Sequence, residues 1–277
     1  MAMVPYVKEM AHRFGSAVTV LNAFDLVPDY CLAPRTQDRC DLDPRSIPYT
    51  PVLQELRKRR ENQLQEFSCM HFSGVEHTMR LVDGDPATVI EWVARIENTG
   101  LIMMPTKGRG RFRRLLLGSA TAKVLHDLSC LVFTSAHDSG SAAAAPGAYQ
   151  SILCAVDLNA EADAVLKTAA FLAQAYGAKL CLLHVQPSGE RGAEGSGELV
   201  RRAFEQALHA DGIPNARLNT TVRVLDDGVP AGVRLTAKEI AADLLVVGRG
   251  HQDRGLSRMW SHLYAMICDS HCPVLSV

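Results

Sequence analysis

The chain has 277 residues, a length that suits about two domains of ordinary size. Its 29 basic and 30 acidic residues nearly cancel, which argues against a general nucleic-acid binder. No apolar stretch is long enough to span a membrane, and the charged N-terminus, with Lys8 and Arg13, is unlike a secretory signal. We therefore expect a cytoplasmic protein with neither a nucleic-acid nor a membrane partner.

Strand and helix patterns alternate along the first half. The predicted strands are 18–23, 79–82, 101–104 and 131–134, and the predicted helices are 52–67, 87–96 and 115–128. A proline-containing insertion at 26–50 is expected to be irregular, and the Ala/Ser/Gly-rich segment 137–149 is predicted to be an interdomain linker.

The second half alternates in the same way, after a further apolar run at its start. Its predicted strands are 152–156, 180–185, 220–225, 244–247 and 273–277, and its predicted helices are 162–175, 198–209, 230–241 and 257–268. A Gly/Ser/Glu-rich loop is expected up to Gly197. Strands that alternate with helices of this length predict a doubly wound parallel sheet.

The two halves repeat each other. An Asp-Gly-x-Pro-Ala motif occurs at 83–87 and again at 227–231, and Ser119, Asp127 and Cys130 recur at a constant spacing as Ser261, Asp269 and Cys272. A repeat of this length indicates two whole domains and not a solenoid. We predict a first domain at 1–136, a linker at 137–149 and a second domain at 150–277.

The repeat also predicts that the first domain lacks its first strand. The second half starts with the apolar run 151–157, and the counterpart of this run would fall ahead of Met1. Losing that strand would leave its two neighbours without a hydrogen-bonded partner. We favour a start assigned too far downstream over natural truncation.

The eight cysteines contain no C-x-x-C pair, and several lie in apolar runs, where a thiol behaves as a small hydrophobic group. The cluster Cys268, His271 and Cys272 lacks the usual zinc spacing, so buried, reduced cysteines are expected and no metal site is predicted.

The loop after the strand 101–104 covers residues 105–119. This strand is the fourth of the first half when the missing first strand is counted. The loop combines glycines, a serine and several positive charges. Glycine lets the backbone approach a phosphate closely, and free N–H groups at a helix start favour an anion. Lys107 and Arg109 would add charge-assisted hydrogen bonds. A solvated basic turn is the alternative interpretation of the same residues.

At this loop the chain resembles a tandem universal stress protein. The family's nucleotide-binding members carry G-x-x-G-x(9)-G-[ST] after the fourth strand and an Asp at the end of the first. The first half matches the loop from Gly108 to Gly118 and Ser119, with Pro105 in place of the leading glycine. The second half keeps the strand-end Asp157, but its loop is one residue shorter and carries Trp260 in place of the last glycine.

The resemblance implies two doubly wound parallel-sheet domains of the adenine nucleotide alpha hydrolase-like fold, with strand order 3-2-1-4-5 and a ligand site at the strands' carboxyl ends. By this resemblance, Gly108, Gly118 and Ser119 would hold phosphates in the first half. Ala155, Val156 and Asp157 would face adenosine, Val185 would line the adenine pocket, and Gly248, Gly250 and Ser261 would remain from the second phosphate loop. A capping or turn carboxylate is the other interpretation of Asp157.

Three functions follow from these patterns. The favoured one is a non-enzymatic stress-response protein that binds ATP in at least one half, with no metal beyond nucleotide-associated Mg²⁺. The second is a nucleotide-independent interaction scaffold with decayed sites, and the third, ATP hydrolysis or phosphate transfer, finds no catalytic constellation in the sequence. The resemblance also implies that the two halves pair through their last strands within one chain, and it allows a homodimer.

Overall fold

The computed structural model describes residues 3–24, 51–106, 117–135, 149–158, 162–186, 193–210, 219–226, 228–249 and 256–277. The predicted insertion at 26–50 and positions 137–148 of the predicted linker lie outside the described residues.

Helices and strands alternate through both halves, as the apolar patterns predict. The first half contains α1 (Val4–Phe14), β1 (Val18–Phe24), α2 (Pro51–Phe72), β2 (His77–Asp83), α3 (Pro86–Ile96), β3 (Leu101–Pro105), α4 (Ser119–Asp127) and β4 (Leu131–Ser135). The second half contains β5 (Ser151–Ala155), α5 (Ala162–Tyr176), β6 (Lys179–Gln186), α6 (Ala193–Ala210), β7 (Thr220–Asp226), α7 (Val229–Glu239), β8 (Leu244–Val247), α8 (Leu256–Asp269) and β9 (Val274–Ser276).

The second half forms the predicted doubly wound sheet. Its strands lie in the order β7-β6-β5-β8-β9, which is the predicted order 3-2-1-4-5, and each neighbouring pair is parallel. The first strand, β5, is central, and Ile152, Leu153 and Cys154 are completely buried within it. A continuous apolar run is what a strand covered on both faces requires. The fold class is therefore confirmed.

The same sheet continues past β9 into the first half, to give seven strands in the order β3-β4-β9-β8-β5-β6-β7. The last strands of the two halves, β4 and β9, run antiparallel, with Val132 opposite Ser276, Phe133 opposite Leu275, and Thr134 opposite Val274. Phe133 is fully buried at this junction. The apolar edges of both last strands are thus covered by each other.

The first half is divided differently. Its strands β1 and β2 form a parallel two-stranded sheet of their own, while β3 and β4 belong to the large sheet. Contacts group the chain accordingly into one unit of Met1–Tyr6 with Thr99–Val277 and a second unit of Val7–Asn98. In the second half, β5 bonds both β6 and β8 and so joins the inner strands. The part of the first half that the structure describes contains no counterpart of β5.

Three predicted helix boundaries were wrong by about one helical turn, and one helix was not predicted. Helix α4 starts at Ser119 instead of Leu115, because Gly118 is extended and donates its N–H to the Thr106 carbonyl at 2.8 Å. Helix α2 continues to the buried Phe72, and α6 begins at Ala193, inside the segment predicted as a loop. Helix α1 was not predicted, although it ends at Phe14 just before Gly15 in the same way that α5 ends at Tyr176 just before Gly177.

Candidate functional site

The carboxyl ends of three neighbouring strands of the second half meet at one edge of the sheet. Ala155, the last residue of β5, lies opposite Val247, the last residue of β8. Val156 and Asp157 follow the first of these strands and Gly248 follows the second, while Val185 lies at the end of β6. The chain connections reverse direction between β5 and β8, and ligands of doubly wound sheets bind at this reversal. The structure therefore brings these five predicted residues (Ala155, Val156, Asp157, Val185 and Gly248) to one place.

The segment that carries Asp157 is held by the neighbouring strand. The Val156 N–H donates to the Leu183 carbonyl at 2.9 Å, and the Val156 carbonyl accepts from Nδ1 of His184 at 3.0 Å. Since a carbonyl only accepts, Nδ1 of His184 carries the proton. Val156 is buried, whereas Asp157 is exposed at the edge. Through this bond, His184 fixes the main chain next to Asp157.

The other end of β5 is also fixed. One carboxylate, that of Asp243, accepts the N–H groups of Gln150 at 2.6 Å and Ser151 at 3.1 Å. Burial raises the pKa of Asp243, and the hydrogen bonds from the two amides partly offset this rise. The Ser151 hydroxyl donates to the Ile240 carbonyl at 3.0 Å. The central strand is thus anchored to the segment that leads into β8, which fixes the position of Asp157 relative to Gly248.

Two glycines next to this edge are needed for close packing. A Cβ at Gly248 would lie 3.1 Å from Cγ2 of Val165 in α5, and a Cβ at Gly232 in α7 would lie 3.2 Å from Cγ2 of Val185. Both distances are shorter than ordinary van der Waals contact. The glycine at position 248 therefore has a packing reason of its own, alongside the phosphate contact that the sequence predicts for it.

Ser261, the serine of the predicted second-half phosphate loop, lies inside a helix. Helix α8 begins at Leu256, more than one turn before Ser261. The amide of Ser261 therefore lies within the helical hydrogen-bond ladder and not among the free N–H groups of the first turn. Gly250 lies outside the described residues, as does the side chain of Trp260.

The corresponding segment of the first half has the opposite arrangement. Helix α4 begins directly at Ser119, which is exposed, and its N-cap residue Gly118 makes no side-chain capping bond. Two hydrogen bonds join the start of α4 to the end of β3. The Thr106 carbonyl accepts the Gly118 N–H, and the Thr121 hydroxyl donates to the Pro105 carbonyl at 3.1 Å. Free N–H groups in the first turn of a helix favour an anion, and among the described residues no side chain of the N-cap position occupies those of α4. Lys107, Gly108 and Arg109 lie outside the described residues.

The described cysteines are free thiols. Burial raises the pKa of Cys154 to about 12 and that of Cys272 to about 11, so both remain protonated near neutral pH. Within the described ranges, no group of three His, Cys, Asp or Glu residues is placed to hold a metal ion. A search of the same ranges found no helix long and apolar enough to cross a membrane.

The doubly wound sheet defines the chain as an α/β protein, and comparison with known sequences gives its family. The model of the Universal stress protein family matches the chain twice, over residues 2–134 and 148–277. The chain therefore belongs to the universal stress protein family and is a tandem member of it. A curated relative from Thermus aquaticus, "Universal stress protein in QAH/OAS sulfhydrylase 3'region", is 30% identical over 128 residues, which cover 45% of this chain and 81% of the relative.

Solved structures share the fold over nearly the whole chain. A universal stress protein from Archaeoglobus fulgidus DSM 4304 matches with a TM-score of 0.71 and 21% identity, over 99% of this chain and 90% of that one. A putative universal stress protein from Pseudomonas aeruginosa UCBPP-PA14 matches with a TM-score of 0.58 and 16% identity, over 98% and 86%. At these identities the likeness concerns the fold alone.

Proposed function

We propose that this universal stress protein is a non-enzymatic stress-response protein that binds an adenine nucleotide, ATP, in at least one of its halves. The observation that carries the proposal is the meeting of β5 and β8 at the reversal point of the second-half sheet, where the exposed Asp157 follows β5 and Gly248 follows β8. Family membership supports it. Catalysis is not part of the proposal, because the sequence shows no catalytic constellation.

Each half offers residues for one part of a nucleotide, at a separate place, because the antiparallel β4–β9 pair puts the carboxyl ends of β3 and β5 at opposite edges of the sheet. In the second half, the Ala155–Val156 main chain and the Asp157 carboxylate would face adenosine, with Val185 behind them. In the first half, the uncapped start of α4 at Ser119 would receive the phosphates, which helix N-termini favour through free N–H groups and the helix dipole. Any Mg²⁺ would arrive with the nucleotide.

The proposal extends to assembly and location. We propose that the antiparallel β4–β9 junction is the contact through which the two repeats associate in solution, and that two chains form a homodimer. A cytoplasmic location agrees with the free thiols of the described cysteines, since oxidising compartments favour disulfides.

A nucleotide-independent interaction scaffold is the second candidate function. It is favoured by one observation: the described residues of neither half combine an Asp after the first strand of the sheet with a helix that begins at the phosphate-loop serine. The second half has Asp157, but its α8 begins well before Ser261. The first half has the helix start at Ser119, but the strand that would carry an Asp is absent from its described residues.

Replacing Ser119 with aspartate tests the phosphate end of the proposal. A carboxylate in the first turn suits the helix dipole, so α4 is expected to stay folded, but it repels an incoming phosphate. We expect calorimetric titration of the full chain to show ATP binding at the first half that is at least about tenfold weaker in Ser119→Asp than in the wild type.

The repeat supplies a matched control for this experiment. Ser261 is the counterpart of Ser119, is also exposed, and lies inside a helix of the other half, so Ser261→Asp is expected to leave the ATP affinity of the first half within about twofold. Equal affinities for Ser119→Asp and the wild type would remove the first half from the proposal. A wild-type chain that binds no ATP would favour the scaffold.

A further inference from the structure

The end of the first-half phosphate loop is held by a residue of the second half. The hydroxyl of Tyr264, on α8, accepts the N–H of Leu117 at 2.8 Å. Leu117 is buried and immediately precedes Gly118, the N-cap of α4. A buried amide without a partner is costly, so this bond fixes the main chain where it enters the helix.

The other end of α4 is held by Arg249, also from the second half. Its Nη1 donates to the carbonyls of Leu128 and, at 3.5 Å, Leu125, while Nη2 donates to the Cys130 carbonyl at 2.6 Å. Its Nε donates to the Val277 main-chain oxygen at 3.3 Å. Carbonyls at a helix C-terminus lack partners within the helix and attract a cation. One guanidinium therefore joins the end of α4 to the end of the second-half sheet.

The two halves do not exchange this contact symmetrically. Thr106 follows β3 and is the counterpart of Arg249, which follows β8. The Thr106 N–H donates to the Ser135 carbonyl at the end of β4 at 3.1 Å, and the Arg249 N–H donates to the main-chain oxygen of Val277, after β9, at 3.2 Å. The Thr106 hydroxyl donates within its own half, to the Ser135 carbonyl at 3.4 Å. The Arg249 side chain crosses to the other half.

We propose that Tyr264 and Arg249 are positioning residues through which the second half sets the place of α4, and with it the phosphate-facing start of that helix. This inference rests on the proposed function of the first half. The Arg249 guanidinium bonds the carbonyls at the C-terminal end of α4, so the second half supports the first-half site as well as forming an edge of its own.

Amide hydrogen exchange of the full chain tests the placement directly. We expect the Leu117 amide of Tyr264→Phe to exchange at least about fivefold faster than in the wild type, because one hydrogen bond is lost. In Arg249→Ala, the amides of the last turn of α4 should exchange faster. The matched controls are Tyr149→Phe, which removes a hydroxyl elsewhere, and Arg202→Ala, which removes an exposed arginine that pairs with Glu198 on its own helix.

The pattern of the change separates positioning from a general loss of stability. A positioning role predicts faster exchange confined to 117–130, with β5 and β6 unchanged. Exchange that accelerates equally in β5 and β6, or not at all at Leu117 and in α4, would overturn the inference.

ATP titration of Tyr264→Phe tests the link to the ligand. We expect its affinity to fall about fivefold while Tyr149→Phe stays at the wild-type value. Faster exchange with unchanged ATP affinity would overturn the link. If the wild type binds no ATP, the proposed function fails, and the exchange pattern alone decides whether the second half holds α4.

Discussion

Replacing Phe133 with alanine is expected to lower the free energy of unfolding by about 3–5 kcal/mol. Phe133 is fully buried and lies opposite Leu275 in the antiparallel pair that joins the two halves. The centroid of its ring lies 5.5 Å from the ring centroid of Tyr6. The Tyr6 hydroxyl forms a hydrogen bond with the side chain of Ser135. The substitution removes a large apolar side chain at a place where β4 and β9 cannot close together without losing their pairing, so a cavity remains.

Chemical denaturation followed by circular dichroism measures this effect. Phe171→Ala is the matched control, because Phe171 is 51% exposed on α5, and its loss should cost no more than about 1 kcal/mol. Equal costs for the two substitutions would contradict the β4–β9 junction. An undiminished stability of Phe133→Ala would do so even more clearly.

Replacing Asp157 with alanine is expected to weaken ATP binding at the second-half edge about 10- to 100-fold. The carboxylate follows the buried central strand, is exposed at the edge, and stands beside the end of β8. Hydrogen bonds to a charged group are stronger than neutral ones, so losing those between adenosine and Asp157 should have a large effect. Because the side chain is exposed, the free protein should keep its stability to within about 0.5 kcal/mol.

The comparison variant for Asp157→Ala is Glu205→Ala, which removes the same charge from an exposed position on α6. Asp157→Asn retains one acceptor oxygen at this position but loses the charge. Its ATP affinity should lie between those of the wild type and Asp157→Ala. If Asp157→Ala and Glu205→Ala bind ATP equally well, Asp157 is the capping or turn carboxylate that the sequence also allows, and the second half does not contact adenosine.

The sequence was sufficient to predict the sheet of the second half. Continuous apolar runs such as 152–156 and 244–247 mark strands that are buried on both faces, and helical patterns between them require parallel crossovers. The positions of Asp157 and Gly248 follow from that topology, since residues directly after neighbouring parallel strands must lie at one edge. These predictions rest on short-range periodicity, which a single sequence displays well.

The contacts between the halves could not be predicted in the same way. Arg249 was passed over between two candidate glycines, and nothing in the local sequence shows that its side chain reaches the carbonyls of another helix. The start of α8 was predicted to within one residue, whereas the start of α4 at Ser119 was hidden, because the helical pattern of 115–128 continues ahead of Gly118. Both features depend on tertiary packing, which overrides local pattern.

The unequal halves have a physical consequence for the proposed sites. Asp157 is held by a complete sheet, with β5 bonded on both sides and fixed at both ends. Ser119 begins a helix that is held by contacts from the other half. The position of Asp157 therefore depends on the second-half sheet, whereas the position of Ser119 depends on the pairing of the two halves.

The most direct test of the central claim is photolabelling of the full chain with 8-azido-ATP, followed by mass spectrometric mapping of the labelled peptides. The reagent reacts next to the adenine ring, so it reports where the base lies. We predict a label that excess ATP suppresses, in peptides containing 155–157 or Val185 at the carboxyl edge of the second-half sheet. Labelling that ATP does not suppress, or a suppressed label confined to other peptides, would contradict a nucleotide site at this edge.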